Sequence, residues 1–137
     1  MPLSYRIDTM QRIVVATASG TLTVDDLFGY QRDAWKHEEV RGFNELVDMR
    51  KVDLLTPPPA TQLRSFAGFA ASMDEAVGES RLAIVAKDDL DFGLARMFQT
   101  YRELNPGSKK QVQVFRSLKD ALAYLGVTEE DFPPGIP

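Results

Sequence analysis

Apolar residues along this chain repeat with two periods, and the switches between them mark its elements. Residues 4–18 hold two strand-like runs. Tyr5-Arg6-Ile7-Asp8 alternates, and residues 12–18 are almost unbroken β-formers; residues 9–11 between them suit a turn, so a hairpin is expected, with Gly20 ending its second strand. Thr23 then opens a helix. Its hydroxyl and Asp26 form a capping-box pattern, and Leu27, Phe28, Tyr30, Ala34 and Trp35 give that helix an apolar side.

Residues 44–55 read as a strand in which Asp48 interrupts Leu46, Val47 and Met49. Pro57, Pro58 and Pro59 cannot continue a central strand but suit the first turn of a helix, which is expected to run to about Met73. Leu63, Phe66, Ala67, Phe69, Ala70 and Met73 cover an arc wider than the ~100° stripe of a surface helix. Residues 81–86 form a short apolar strand, as expected where helices cover both faces of a sheet. Leu94, Met97, Phe98, Tyr101 and Leu104 repeat at helical spacing until Asn105-Pro106-Gly107 stops them. Residues 111–115 are a last strand. Ser117 with Asp120 opens a last helix, and Gly126 ends it. The order β-β-α-β-α-β-α-β-α predicts one α/β domain over residues 1–137, with a mostly parallel sheet and its first strand antiparallel at an edge.

Composition narrows the chemistry. The absence of cysteine excludes disulfides, thiolate metal sites and cysteine nucleophiles, and a single histidine, His37, excludes a multi-histidine metal centre. His37 lies in a polar run and reads as a solvated side chain; no cofactor is implied. A net charge of −4, with Lys109-Lys110 the densest basic pair, gives no stripe for nucleic-acid phosphates. No apolar run approaches the ~18 residues of a transmembrane helix, and the first residues lack a signal-peptide pattern. A soluble, cytoplasmic protein is expected.

Three places could carry chemistry. Asp48 and Arg50 share one face of a regular strand, either as a site carboxylate with a guanidinium clamp or as a structural ion pair. Lys87, Asp88, Asp89 and Asp91 lie at the carboxyl end of a strand, the usual ligand rim of an open α/β sheet. Their carboxylates would also satisfy the helix amides themselves, so self-capping by Asp88 or Asp91 competes with ligand binding by Lys87, Asp88 and Asp91. The proline-started helix is the third place. Its arc is core, a self-association face, or the cover of an apolar pocket, with Phe66, Phe69 and Met73 as the expected contact surface.

The element order, the Gly20-Thr21-Leu22-Thr23-Val24-Asp25-Asp26-Leu27 strand-to-helix transition, the Leu46-Val47-Asp48-Met49-Arg50 strand and Gly93-Leu94-Ala95-Arg96-Met97-Phe98 together resemble the STAS/SEC14-like, or SpoIIAA-like, family of small bacterial proteins. So do Val114-Phe115-Arg116 and Ala121-Leu122-Ala123-Tyr124-Leu125 near the end. The resemblance implies a four- or five-stranded sheet flanked by helices. In the anti-sigma-factor antagonists of that family a phosphorylated serine at a helix start switches partners. The matching stretch here is Leu54-Leu55-Thr56-Pro57-Pro58-Pro59, where Thr56 is the only hydroxyl. The SEC14 side of the resemblance implies an apolar ligand. The expected function is a non-enzymatic module that binds a protein or a small ligand, without the usual phospho-serine switch and with a homodimer among its forms. The alternatives are a carrier of a lipid or other apolar molecule, and an enzyme built on Asp48, Arg50, Lys87 and Asp91.

Overall fold

A computed structural model describes residues 2–55, 58–77 and 79–127. Thr56, Pro57 and the residues after 127, expected to pack loosely, lie outside the described residues.

Strands β1 (Leu3–Asp8) and β2 (Ile13–Leu22) form the expected antiparallel hairpin, from Leu3 opposite Ala18 to Asp8 opposite Ile13. In its turn the Asp8 carboxylate accepts the Gln11 amide at 3.0 Å. Gly20 does not end β2. Its φ of +68° lets the chain bulge, the register on the next strand slips at that point, and pairing resumes to Leu22.

Helix α1 (Val24–Trp35) begins with the full capping box: the Asp26 amide bonds the Thr23 hydroxyl, and the Thr23 amide bonds the Asp26 carboxylate at 2.9 Å. A 3₁₀ turn (Glu38–Val40) leads to β3 (Asn44–Leu55). Helix α2 (Ala60–Val77) starts after the prolines and runs about a turn beyond Met73. Asp74, in the added turn, is buried and bonded to Arg102. The chain continues through β4 (Ser80–Val85), α3 (Asp89–Glu103), β5 (Lys110–Phe115) and α4 (Leu118–Leu125). Gly126, at φ +76°, closes α4 in the left-handed conformation.

The strands lie in the order β1-β2-β3-β4-β5, with β1 antiparallel at the edge and the rest parallel. Successive crossovers step the same way along the sheet, so α1, α2 and α3 fall on one face. Helix α4 covers the other face, over Ile13, Val15, Leu46, Ala83 and Val85. Alternation sorts the side chains accordingly: Glu45, Val47 and Met49 of β3 face the three-helix layer, and Leu46 faces α4.

Helix α3 turns Leu94, Phe98 and Tyr101 of its expected apolar face towards the core. It buries Asp91, Ala95, Phe98, Gln99 and Arg102, whereas Met97 is 39% and Leu104 75% exposed. The inward face also carries Arg102, and Leu90, Met97 and Leu104 turn outward.

Replacing Thr23 with Ala should lower stability by about 1 kcal/mol, seen as a lower urea midpoint with an unchanged slope.

Candidate functional site

On the three-helix face, the amino ends of β3 and β5 carry Glu45 and Lys110, in register with apolar neighbours two residues on. Neither can reach water: their side chains are 3% and 1% exposed. Strand β4 lies between them, so the two long side chains meet across it, Lys110 Nζ to Glu45 Oε1 at 2.6 Å. The other carboxylate oxygen accepts the Tyr30 hydroxyl at 2.6 Å and the Trp35 indole N–H at 3.2 Å. Lys110 Nζ also sits 3.1 Å from the centre of the Trp35 ring, a cation–π contact. Helix α1 is thereby tied to β3 and β5.

A second buried pair adjoins the first. Arg102 Nη2 donates to Asp74 Oδ1 at 2.6 Å, with both side chains 1% exposed. Asp74 Oδ2 accepts the Lys109 amide at 2.8 Å and the Ser108 hydroxyl at 3.3 Å. This pair joins the last turn of α2 to the last turn of α3 and to the segment entering β5. The guanidinium also lies over the Phe98 ring at 5.6 Å, and among the described residues its Nε has no hydrogen-bond partner.

Burial and pairing compete at each group. Burial pushes the Glu45 carboxyl up, but the Lys110 charge with the Lys110 and Tyr30 hydrogen bonds outweighs it and holds the group below its ordinary value. Burial lowers the Lys110 ammonium despite Glu45. Burial, followed by the Glu45 charge, raises the Tyr30 phenol well above 10.0, so its proton stays available as a donor.

These groups close one end of a cavity of ≈ 80 Å³ between the sheet and α1, α2 and α3. Tyr30, Gln31, Glu45 and Arg102 line that end. Val47, Met49, Leu82, Ile84, Phe66 and Phe98 make the apolar walls. From Glu45 to Met49 along β3 is about 13 Å at the rise of an extended strand. The far end, towards the strand carboxyl ends, is lined by the half-buried Val24, Leu27, Pro58 and Leu94.

The residues singled out in the sequence fall elsewhere or play other parts. Asp48 and Arg50 do meet, as a bidentate pair at 3.0 and 2.8 Å, with the Arg50 amide adding a third bond at 3.0 Å. That bond to Asp48 raises the Arg50 guanidinium further. Asp48 alternates with Val47 and so lies on the α4 face, away from the cavity. Lys87 and Asp88 are exposed beyond β4. Self-capping does not occur at Asp88: it holds the N-cap position of α3 without a side-chain bond, and among the described residues Asp91 bonds no amide either. Arg116 organises this turn instead, bonding the Lys87 carbonyl and the Asp89 carboxylate and stacking on Phe92. Asp91 is 5% exposed, and burial, then the Asp88 charge, raises its carboxyl. Phe66 is no surface residue: it is 6% exposed, edge-on to Phe28 and stacked on Phe98 at 5.2 Å. Phe69, against Phe28, and Met73, which accepts from Gln31, are half-buried.

Glu45, Arg102, Lys110 and Asp74 escaped a reading that sought acids and bases near strand carboxyl ends. Alternation held the signal for two of them: Glu45 is two residues before Val47, and Lys110 two before Val112. Among the described residues no group of three or more histidine, aspartate or glutamate side chains could hold a metal ion, and no helix is long and apolar enough to cross a membrane.

A five-stranded mixed sheet, a hairpin at one edge and parallel strands alternating with helices define a SpoIIAA-like α/β domain, as the resemblance implied. The chain is similar to the crystal structure of an uncharacterized protein from the DUF3478 family with a SpoIIAA-like fold, from Shewanella loihica PV-4. The match has a TM-score of 0.53 and 19% identity, and covers 90% of this chain and 93% of that one. At that identity the likeness is one of fold. No family model and no curated protein matches the sequence.

Glu45→Gln or Lys110→Met alone strands a buried charge and should cost about 3–5 kcal/mol in urea unfolding, and the double variant less than the sum of the two. The acid limb carries the same signature. Because the folded value of Glu45 lies below its ordinary 4.5, the stability it contributes is complete above that value and lost as pH falls through the folded one. Glu45→Gln should therefore flatten the fall in urea midpoint below that pH.

Proposed function

We propose that this protein is a non-catalytic binding module whose ligand is a small, mainly apolar molecule held between α2, α3 and the sheet. The observation that carries this reading is the apolar cavity beneath Phe66. A tightly packed core there would have spoken against any such ligand. The half-buried side chains at its far end lie towards the strand carboxyl ends, where open α/β sheets take their ligands. The reading without catalysis is supported by Asp48 and Arg50, which neutralise each other on the opposite face of the sheet.

A second reading, self-association, is favoured by α3. Leu90, Leu94, Met97, Tyr101 and Leu104 follow the spacing of a coiled-coil seam; Leu90 is 56% and Leu104 75% exposed. Gly93 beside the seam has open space where a side chain would be, which allows a second copy's helix to approach closely.

Toluene titrated into the protein should shift the backbone amide signals of residues around Phe66, Ala95 and Phe98 and raise the melting temperature. Ala95→Leu, which fills the cavity, should abolish both effects while the protein stays folded. Amide signals around the cavity that toluene leaves unmoved would rule the pocket reading out. For self-association, sedimentation over a range of concentrations should show dimer that Met97→Glu dissolves; a strictly monomeric protein at high concentration contradicts it.

A further inference from the structure

The polar end of the cavity is specific about what it accepts. Glu45 and Arg102 line it, and each is already matched by a partner outside the lining: Glu45 by Lys110, Arg102 by Asp74. The carboxylate oxygens are engaged by Lys110, Tyr30, Trp35, Arg102, Ser108 and the Lys109 amide. The cluster is therefore electrically neutral. A carboxylate arriving from a ligand would bring an uncompensated charge into a site with little water to solvate it. A bare hydrocarbon would satisfy the walls and ignore this end.

What the cluster has left over is a donor. Arg102 is 1% exposed and lines the cavity, and among the described residues its Nε–H has no partner. A buried N–H without an acceptor is rare and costly in folded proteins. The guanidinium is pinned through Nη2 to Asp74 and packed against Phe98, so the Nε–H is held in place and not free to seek water.

We propose, building on the pocket reading above, that the ligand is a neutral, mainly apolar molecule with one hydrogen-bond-accepting oxygen, a carbonyl or an ether, which takes the Nε–H of Arg102. The acceptor end lies deep, beside Tyr30 and Glu45, and the apolar remainder extends along Val47 and Met49 towards Leu94.

The test compares cyclohexanone, methylenecyclohexane and cyclohexanecarboxylate, ring compounds differing in the group presented to Arg102, titrated into the full chain and read by amide chemical shifts. Cyclohexanone should bind about tenfold more tightly than methylenecyclohexane, and the carboxylate most weakly. Arg102→Lys keeps a cation opposite Asp74 but removes the Nε–H. It should bring ketone and hydrocarbon to near parity by weakening the ketone alone. On the unaltered protein, the carbonyl stretch of bound cyclohexanone should fall below its frequency in alkane solvent, which tests the bond even if the variant does not fold. Equal binding of ketone and hydrocarbon, an alkane-like stretch, or tightest binding of the carboxylate overturns this inference and leaves the pocket standing. Failure of all three compounds and of toluene to bind removes both.

Discussion

A buried carboxylate, on a side chain only 3% exposed, constrains everything around it. The charge and hydrogen bond of Lys110 and the hydroxyl of Tyr30 hold Glu45 ionised, and the Trp35 indole N–H bonds the same carboxylate. Those donors come from β5 and from two positions on α1, so the requirement fixes how α1 lies on the sheet and how β5 is placed two strands from β3. The Asp74–Arg102 pair does the same for the far ends of α2 and α3. Two ion pairs of set length thus hold three helices at one end of the sheet. Between that end and Pro58, apolar side chains fill the layer incompletely, and the cavity is the remainder.

This arrangement divides the sheet into faces of different character. Under α4, small and branched residues such as Ala83, Val85 and Ala121 pack as an ordinary core, with Asp48 closed by Arg50 at its edge. Under α1, α2 and α3, aromatic rings meet in a chain from Phe69 through Phe28 and Phe66 to Phe98, and the last of these touches Arg102. The rings make an apolar wall, and at the polar end both ion pairs are closed while, among the described residues, the Arg102 Nε has no partner. Apolar length and a single oriented donor are what a small neutral ligand requires.

Most of the fold was legible because local signals agreed with one another. The Thr23–Asp26 cap, the prolines before α2, Gly126, the apolar run of β4 and the β-formers of β5 each marked an element that formed where expected. Gly20 misled because a glycine with positive φ can bend a strand as well as end it. The setting of α3 was legible from hydrophobicity only in part. Leu94, Phe98 and Tyr101 turned in as the spacing implied, but Met97 and Leu104 did not, and the inward face also carries Arg102, whose partner Asp74 lies on another helix. Glu45 and Lys110 are 65 positions apart in the chain, and only the sheet topology brings them together. Phe66, read as part of a contact surface, is buried because a wide apolar arc on a helix does not say which part of it the neighbouring helices will cover.

The central claim is that the space beneath Phe66 is a dry, apolar binding cavity closed by a satisfied charge cluster. Xenon is the most direct probe, since it enters apolar cavities and has no affinity for hydrogen-bonding sites. Diffraction from a crystal of this protein held under xenon should show an ordered xenon atom between Phe66, Phe98 and Val47. Ordered waters hydrogen-bonded along that space, or no xenon within it, would contradict the claim.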